Sequence, residues 1–150
     1  MSTFDAASAN RSRVLFACTL NSVRSVLAEK LLQQLAGDRF EVHSAGVSAV
    51  PVHPFVVAVL AEKGIDCRDH AGQELSDVPP FLQVDEVITL SREAHENLKT
   101  MAEFRYDKVS LWELPVPPID LDAAREQQLI LYRVLRDAIE LQLKVHFKIS

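Results

Sequence analysis

Residues 14–25 read Val14-Leu15-Phe16-Ala17-Cys18-Thr19-Leu20-Asn21-Ser22-Val23-Arg24-Ser25, and this stretch sets the architecture. Val14 to Ala17 form an unbroken apolar run. Successive strand side chains point to opposite faces, so such a run marks a strand that is dry on both sides. Beyond Arg24, the residues Leu27, Ala28, Leu31, Leu32 and Leu35 recur at helical spacing. Gly37 follows the last of them, where a helix end favours a residue free to take positive φ.

The same alternation continues along the chain. Phe40 and Val42 start a second strand that runs out at Ser44-Ala45-Gly46, and Pro51 and Pro54 open a short apolar helix that Gly64 ends. Val84, Val87, Ile88 and Leu90, with Thr89 among them, predict a third buried strand. Ser91 then caps a helix with Glu93 in its first turn. Val109, Leu111 and Trp112 predict a fourth strand, closed by Leu114-Pro115-Val116-Pro117-Pro118. A long helix follows from about Asp122, with Leu131, Val134, Leu135, Ala138 and Leu141 on its core-facing side. Strand and helix in alternation predict an α/β domain: an open parallel four-stranded sheet with helices on both faces.

Two readings stand for the final residues. Leu141, Leu143, Val145, Phe147 and Ile149 alternate with polar residues, the period of a strand, although the preceding helix face could also continue through Val145. An extra edge strand there could pair with another copy of the chain, which makes a homodimer one expectation.

Composition bounds the function. The chain has 150 residues, 48% hydrophobic and 25% charged, the balance of one globular domain. Residues 1–12 read as a flexible tail and 13–150 as the domain. Lys plus Arg number 16 against 21 Asp plus Glu, a net charge of −5. That argues against nucleic acid or an anionic membrane as the main partner, while leaving room for one local anion site. Residues 1–13 lack the apolar stretch of a secretory signal. The run from Pro54 to Ala61 is far short of the ~20 residues that span a bilayer. A cytoplasmic protein with reduced thiols is expected. The five histidines lack the paired spacing of zinc ligands, so neither metal nor cofactor is expected.

Chemistry concentrates after the first strand. In an open parallel sheet the carboxyl ends of the strands form the binding crevice. Cys18 stands at that end and Arg24 at the start of the following helix. Backbone N–H groups of a tight strand-to-helix loop converge on an anion, and the helix dipole adds to their field. The same field favours the thiolate, the nucleophilic form of cysteine. Arg24 offers a bidentate fork to two oxygens of a phosphate-like group. The bland alternative makes Cys18 a small core residue and Arg24 a surface one. The strand before and the helix after favour an oxyanion cradle with a nucleophile at its base.

These residues resemble the low molecular weight protein tyrosine phosphatases, whose fold also hosts arsenate reductases. The likeness runs through Val14 to Ser25 and Ala28-Glu29, then Ser44-Ala45-Gly46, then Gly64-Ile65-Asp66 with His70. It continues through Val84 to Ser91 and Trp112 to Pro117, covering roughly residues 13–140. It implies that Cys18 takes the phosphoryl group and Arg24 binds its equatorial oxygens. Ser25 would stabilise the thiolate when water cleaves the phosphocysteine. The loop Thr19, Leu20, Asn21, Ser22, Val23 and Arg24 would hold phosphate, with Asn21, Ser44 and His70 bracing it.

The sequence also departs from that family. Val116, before Pro117, occupies the position of its general acid, an Asp. An aryl phosphate leaves as a phenolate of pKa about 10, so a proton donor contributes roughly 10²–10⁴-fold. Asp120 is a substitute acid if the loop folds back, but its ordinary role is in the first turn of the last helix. Glu113 precedes the donor position and is expected to face away. Leu20 replaces a glycine of the loop and Val23 a frequent second cysteine. Pro118-Ile119 stand where aromatic walls occur, leaving Trp112 or Tyr132 for that task. Cys67 is expected to be structural or idle. The expected function is a cysteine-dependent phosphatase for phosphotyrosine or other aryl and small phosphomonoesters, slowed by the missing Asp. Its partners would be phosphorylated protein or a small oxyanion. Arsenate reduction with an external thiol and a phosphate-binding module without turnover are the alternatives.

Overall fold

The structure is a computed structural model that describes residues 11–79, 82–114 and 124–150. β1 (Ser12–Cys18), β2 (Phe40–Gly46), β3 (Val84–Thr89) and β4 (Tyr106–Leu111) form one sheet in the order β2-β1-β3-β4. Every pairing is parallel, with Phe16 beside Ser44 on one side and Ile88 on the other. Between them run α1 (Arg24–Ala36), α2 (Pro54–Ala61), a 3-10 turn (Leu75–Asp77) and α3 (Arg92–Lys99), and α4 (Arg125–Phe147) closes the chain. The chain leaves β1 to one side for β2 and returns to the other side for β3. The carboxyl ends of β1 and β3 therefore flank the topological switch point, where open α/β sheets bind ligands.

The apolar run of β1 splits by parity. Val14, Phe16 and Cys18 join α1, α2 and α4 in one core layer, while Leu15 and Ala17 join Ala94 and Leu98 of α3 in the other. Ser91 caps α3 by accepting from the Ala94 N–H. β1 starts one residue before the expected domain boundary, since Ser12 already pairs with Phe40.

Three expectations are corrected. Gly37 sits in the right-handed region (φ −64°), because the chain leaves α1 through a turn closed by Arg39 N–H to the Ala36 carbonyl; Gly64 is the glycine at positive φ (76°). There is no extra C-terminal strand. α4 continues to Phe147 and ends at Lys148 in the left-handed region, since Leu143 and Phe147 are needed in the core and Phe147 packs on Phe40 at 4.8 Å. Finally, α4 turns a different face inward. Leu129, Tyr132, Leu135, Arg136, Ile139, Leu143 and Phe147 are buried, whereas Leu131, Val134, Ala138 and Leu141 are exposed. α4 carries two apolar stripes, and the inner one wins because its polar tips find partners. Arg136 donates to the Val59 carbonyl and to Glu62 (both 2.8 Å), tying α4 to the end of α2.

Candidate active site

Cys18 is the last residue of β1 and only 2% exposed. The carbonyls of Cys18, Thr19, Leu20 and Ser22 accept from the N–H groups of Val47, Ser48, Val50 and His53, at 2.9–3.2 Å. In a trans peptide the N–H points opposite to the carbonyl it is bonded to, and the described residues contain no cis peptide. The amides of Thr19, Leu20, Asn21 and Val23 are thereby aimed away from that segment, as an anion cradle requires. α1 begins at Arg24 without a side-chain cap, and its first turn holds no acidic residue. Its leading N–H groups add to the same field.

Two contacts shape the loop. Asn21 lies in the left-handed region (φ 50°), which asparagine tolerates better than most residues. A Cβ on Gly46 would sit 2.7 Å from Asn21 N and 2.9 Å from the Leu20 carbonyl carbon. Only glycine lets the end of β2 come this close.

Asn21 is fully buried, and its amide orients the network. Its Oδ1 accepts from the Gln73 backbone N–H at 3.0 Å, which fixes which end of the amide is oxygen. Its Nδ2 then donates to Ser25 Oγ (2.8 Å) and Ser44 Oγ (2.9 Å). Ser25 accepts from Asn21 and keeps its own hydroxyl hydrogen for Cys18 Sγ, 2.9 Å away, to which it donates when the sulfur is a thiolate. Ser44 passes its hydrogen to the carboxylate of Glu29. His70 Nε2 lies 3.3 Å from Asn21 Oδ1 and must carry the hydrogen there. Burial pushes the His70 imidazole below its ordinary value, outweighing the Glu29 carboxylate 4.0 Å from Nδ1.

On the opposite side, Thr19 Oγ1 donates to Ser91 Oγ at 3.1 Å, tying the loop to α3. Arg24 Nη1 donates to the Leu90 carbonyl at 3.2 Å and so reaches from α1 to the end of β3. Ser22 Oγ donates to the Pro51 carbonyl (2.9 Å), and Val23 is buried in the core. The structure thus brings Cys18, Asn21, Ser25, Ser44 and His70 into one network around the loop.

Asp120, Val116 and Pro118-Ile119 lie outside the described residues. Glu113 is exposed and paired with Arg92. Neither proposed wall residue is available as a wall. Trp112 is buried against Phe16 (6.3 Å), and Tyr132 is 2% exposed, stacked on His53 at 5.1 Å. Among the described residues, Leu20 (46%) and Val50 (39%) are exposed apolar groups of the loop and of the segment bonded to it. Cys67 is buried, and burial pushes its thiol up, away from nucleophilic use. Among the described residues no group of three or more His, Cys, Asp or Glu could hold a metal ion. None of their helices is long and apolar enough to cross a membrane.

Sequence reading placed Glu29 only within a matching block and missed Gln73 and Ser91 as loop supports. Glu29 had a usable signal: a carboxylate four residues after Ser25 on the buried side of α1. The contact of Gln73 with Asn21 had none, because its backbone N–H makes it, while the Gln73 side chain donates to the Ser44 carbonyl at 3.0 Å.

The model of the low molecular weight phosphotyrosine protein phosphatase family matches residues 13–144. Arsenate reductase 2 of Staphylococcus epidermidis is 35% identical over 88 residues, 59% of this chain; the match spans 66% of that relative's length. Among solved structures, the YwlE arginine phosphatase from Geobacillus stearothermophilus superposes with a TM-score of 0.69 and 25% identity, covering 89% of this chain and 88% of that one. An arsenate reductase in the phosphate-binding state gives 0.70 and 25%, covering 93% and 99%.

Proposed function

The chain belongs to the low molecular weight phosphotyrosine protein phosphatase family, and from that premise we propose that it is a cysteine-dependent phosphatase acting on phosphotyrosine or other aryl and small phosphomonoesters. The observation that carries this reading is the Ser25 hydroxyl 2.9 Å from Cys18 Sγ, with its hydrogen left to serve a thiolate while Asn21 donates to its oxygen. Cys18 Sγ attacks phosphorus and forms the S–P bond as the ester P–O bond breaks. The loop amides and Arg24 carry the charge on the equatorial oxygens. Water then attacks the phosphocysteine, the S–P bond breaks, and the electron pair returns to Cys18, where Ser25 stabilises it. With Val116 at the acid position, the leaving oxygen departs unprotonated or takes its proton from water. Turnover therefore favours leaving groups of low pKa.

A series of aryl phosphates spanning leaving-group pKa tests this reading. A steep dependence on leaving-group pKa is expected with the wild type, and no turnover with Cys18→Ser. Equal slow hydrolysis by both proteins overturns it.

Arsenate reduction is the second reading, favoured by the similarity to arsenate reductases and by the burial of Cys67. The two electrons would come from two external thiols, which leave as a disulfide while arsenate becomes arsenite and water. Thiol-dependent release of arsenite distinguishes this activity from hydrolysis.

A further inference from the structure

α4 carries an apolar face that its packing against α1 and α2 leaves uncovered. Ile130 (53%), Leu131 (45%), Val134 (61%), Leu141 (65%) and Val145 (72%) are exposed, with Ala138 exposed among them. Positions 131, 134, 138, 141 and 145 step by three and four residues in alternation, the seam of a two-helix coiled coil. This stripe lies on the side of α4 opposite to its core-facing residues. A helix that is apolar on both faces is ordinarily buried on both.

We infer that this stripe is a self-association surface, on which α4 of a second copy packs antiparallel about a two-fold axis at Ala138. The pattern is self-complementary. With Ala138 at the crossing point, Leu131 meets Val145 and Val134 meets Leu141, each larger side chain against a smaller one. The small central residue lets the axes approach to about 8–10 Å, and antiparallel packing opposes the two helix dipoles. A two-fold contact uses one patch twice, so one stripe is sufficient.

Charge selects against a membrane as occupant. Asp137 and Lys144 flank one side and Gln142 the other, so no cationic rim faces anionic lipid. The stripe offers on the order of 500 Å² of apolar surface per copy, as large as the largest patch a typical monomer exposes. Two copies bury about 1,000 Å², the lower end of specific interfaces, which corresponds to a reversible dimer. This inference stands independently of the phosphatase reading.

Sedimentation equilibrium of the full chain over a wide concentration range tests it. The wild type should shift from monomer to dimer mass, and Leu141→Glu should weaken association at least tenfold. At concentrations where the wild type is monomeric, its thermal midpoint and aryl phosphate turnover should be unchanged, since the side chain is exposed in the monomer. If Leu141→Glu fails to fold, Ala138→Arg supplies the same readout on a residue that contributes little to the core. Ala138→Cys should cross-link between copies under oxidation, and Leu131→Cys alone should not. A wild type that stays monomeric at the highest concentration overturns the inference. So do charged variants that dimerise like the wild type, or a monomer that binds anionic vesicles through this stripe.

Discussion

Ser25 Oγ stands 2.9 Å from Cys18 Sγ, and both residues are buried where β1 hands over to α1. A hydrogen bond to a charged sulfur is worth about 1.5–3 kcal/mol. Ser25→Ala should therefore slow release of phosphate from the phosphocysteine by roughly 10–100-fold. Rapid-quench kinetics should show a burst of phenolate followed by a slow steady state. A uniform fall in burst and steady-state rates contradicts the assigned role.

Cys18→Ser should abolish turnover while retaining affinity for phosphate or vanadate, because the amides and Arg24 do the binding. Isothermal titration with each oxyanion checks this. Loss of binding together with turnover would move the binding energy onto the sulfur.

Asn21 combines a left-handed backbone with hydrogen bonds from both ends of its side chain. Asn21→Gly keeps the backbone freedom and loses the bonds, whereas Asn21→Ala loses both. Both variants should be less stable in urea. Alanine should be the worse by about 1–3 kcal/mol, the cost of a non-glycine residue held at positive φ. Equal losses would show that the backbone is not under strain.

Gly46→Ala places a methyl group 2.7 Å from Asn21 N, where the loop backbone must shift. A destabilisation of about 1–3 kcal/mol is expected from such overpacking, together with weaker phosphate affinity. Thermal melts with and without phosphate measure both effects. An unaltered phosphate-induced shift in Tm argues against coupling between Gly46 and the cradle.

Burial lowers the His70 imidazole below its ordinary value of about 6.5. The unfolded chain then takes up a proton at higher pH than the folded one. The neutral histidine carries no penalty above pH ~6.5, and stability falls as pH drops from there through the folded value. Urea melts between about pH 7 and 5 should show this slope, and His70→Gln should flatten it. His53, also lowered by burial, contributes a further part. A variant with the wild-type slope removes His70 from the account.

Much of this site was legible because it is local. The unbroken run Val14 to Ala17 could only be a strand dry on both faces, and Cys18 and Arg24 bracket the loop leaving it. Their placement follows once the sheet is parallel, since the carboxyl end of β1 is where the crevice opens. What escaped was set by distant segments. Gln73 orients Asn21 through a backbone N–H, which no side chain announces. Trp112 and Tyr132 looked like walls by type, yet their large apolar surfaces are worth more in the core.

The sequence by itself determined the parallel α/β order and the cradle, because strand burial, helix period and the Cys-x5-Arg spacing are properties of neighbouring residues. Tertiary structure decided which of two apolar stripes on α4 faces inward. It also decided that the last residues are helix and how the hydrogen bonds around Cys18 are directed. Each of these depends on partners far along the chain. Arg136 can be buried only because the Val59 carbonyl and Glu62 receive it, and Phe147 is drawn in by Phe40. Ser25 keeps its hydrogen for the sulfur while Asn21, held by Gln73, donates to its oxygen from the other side.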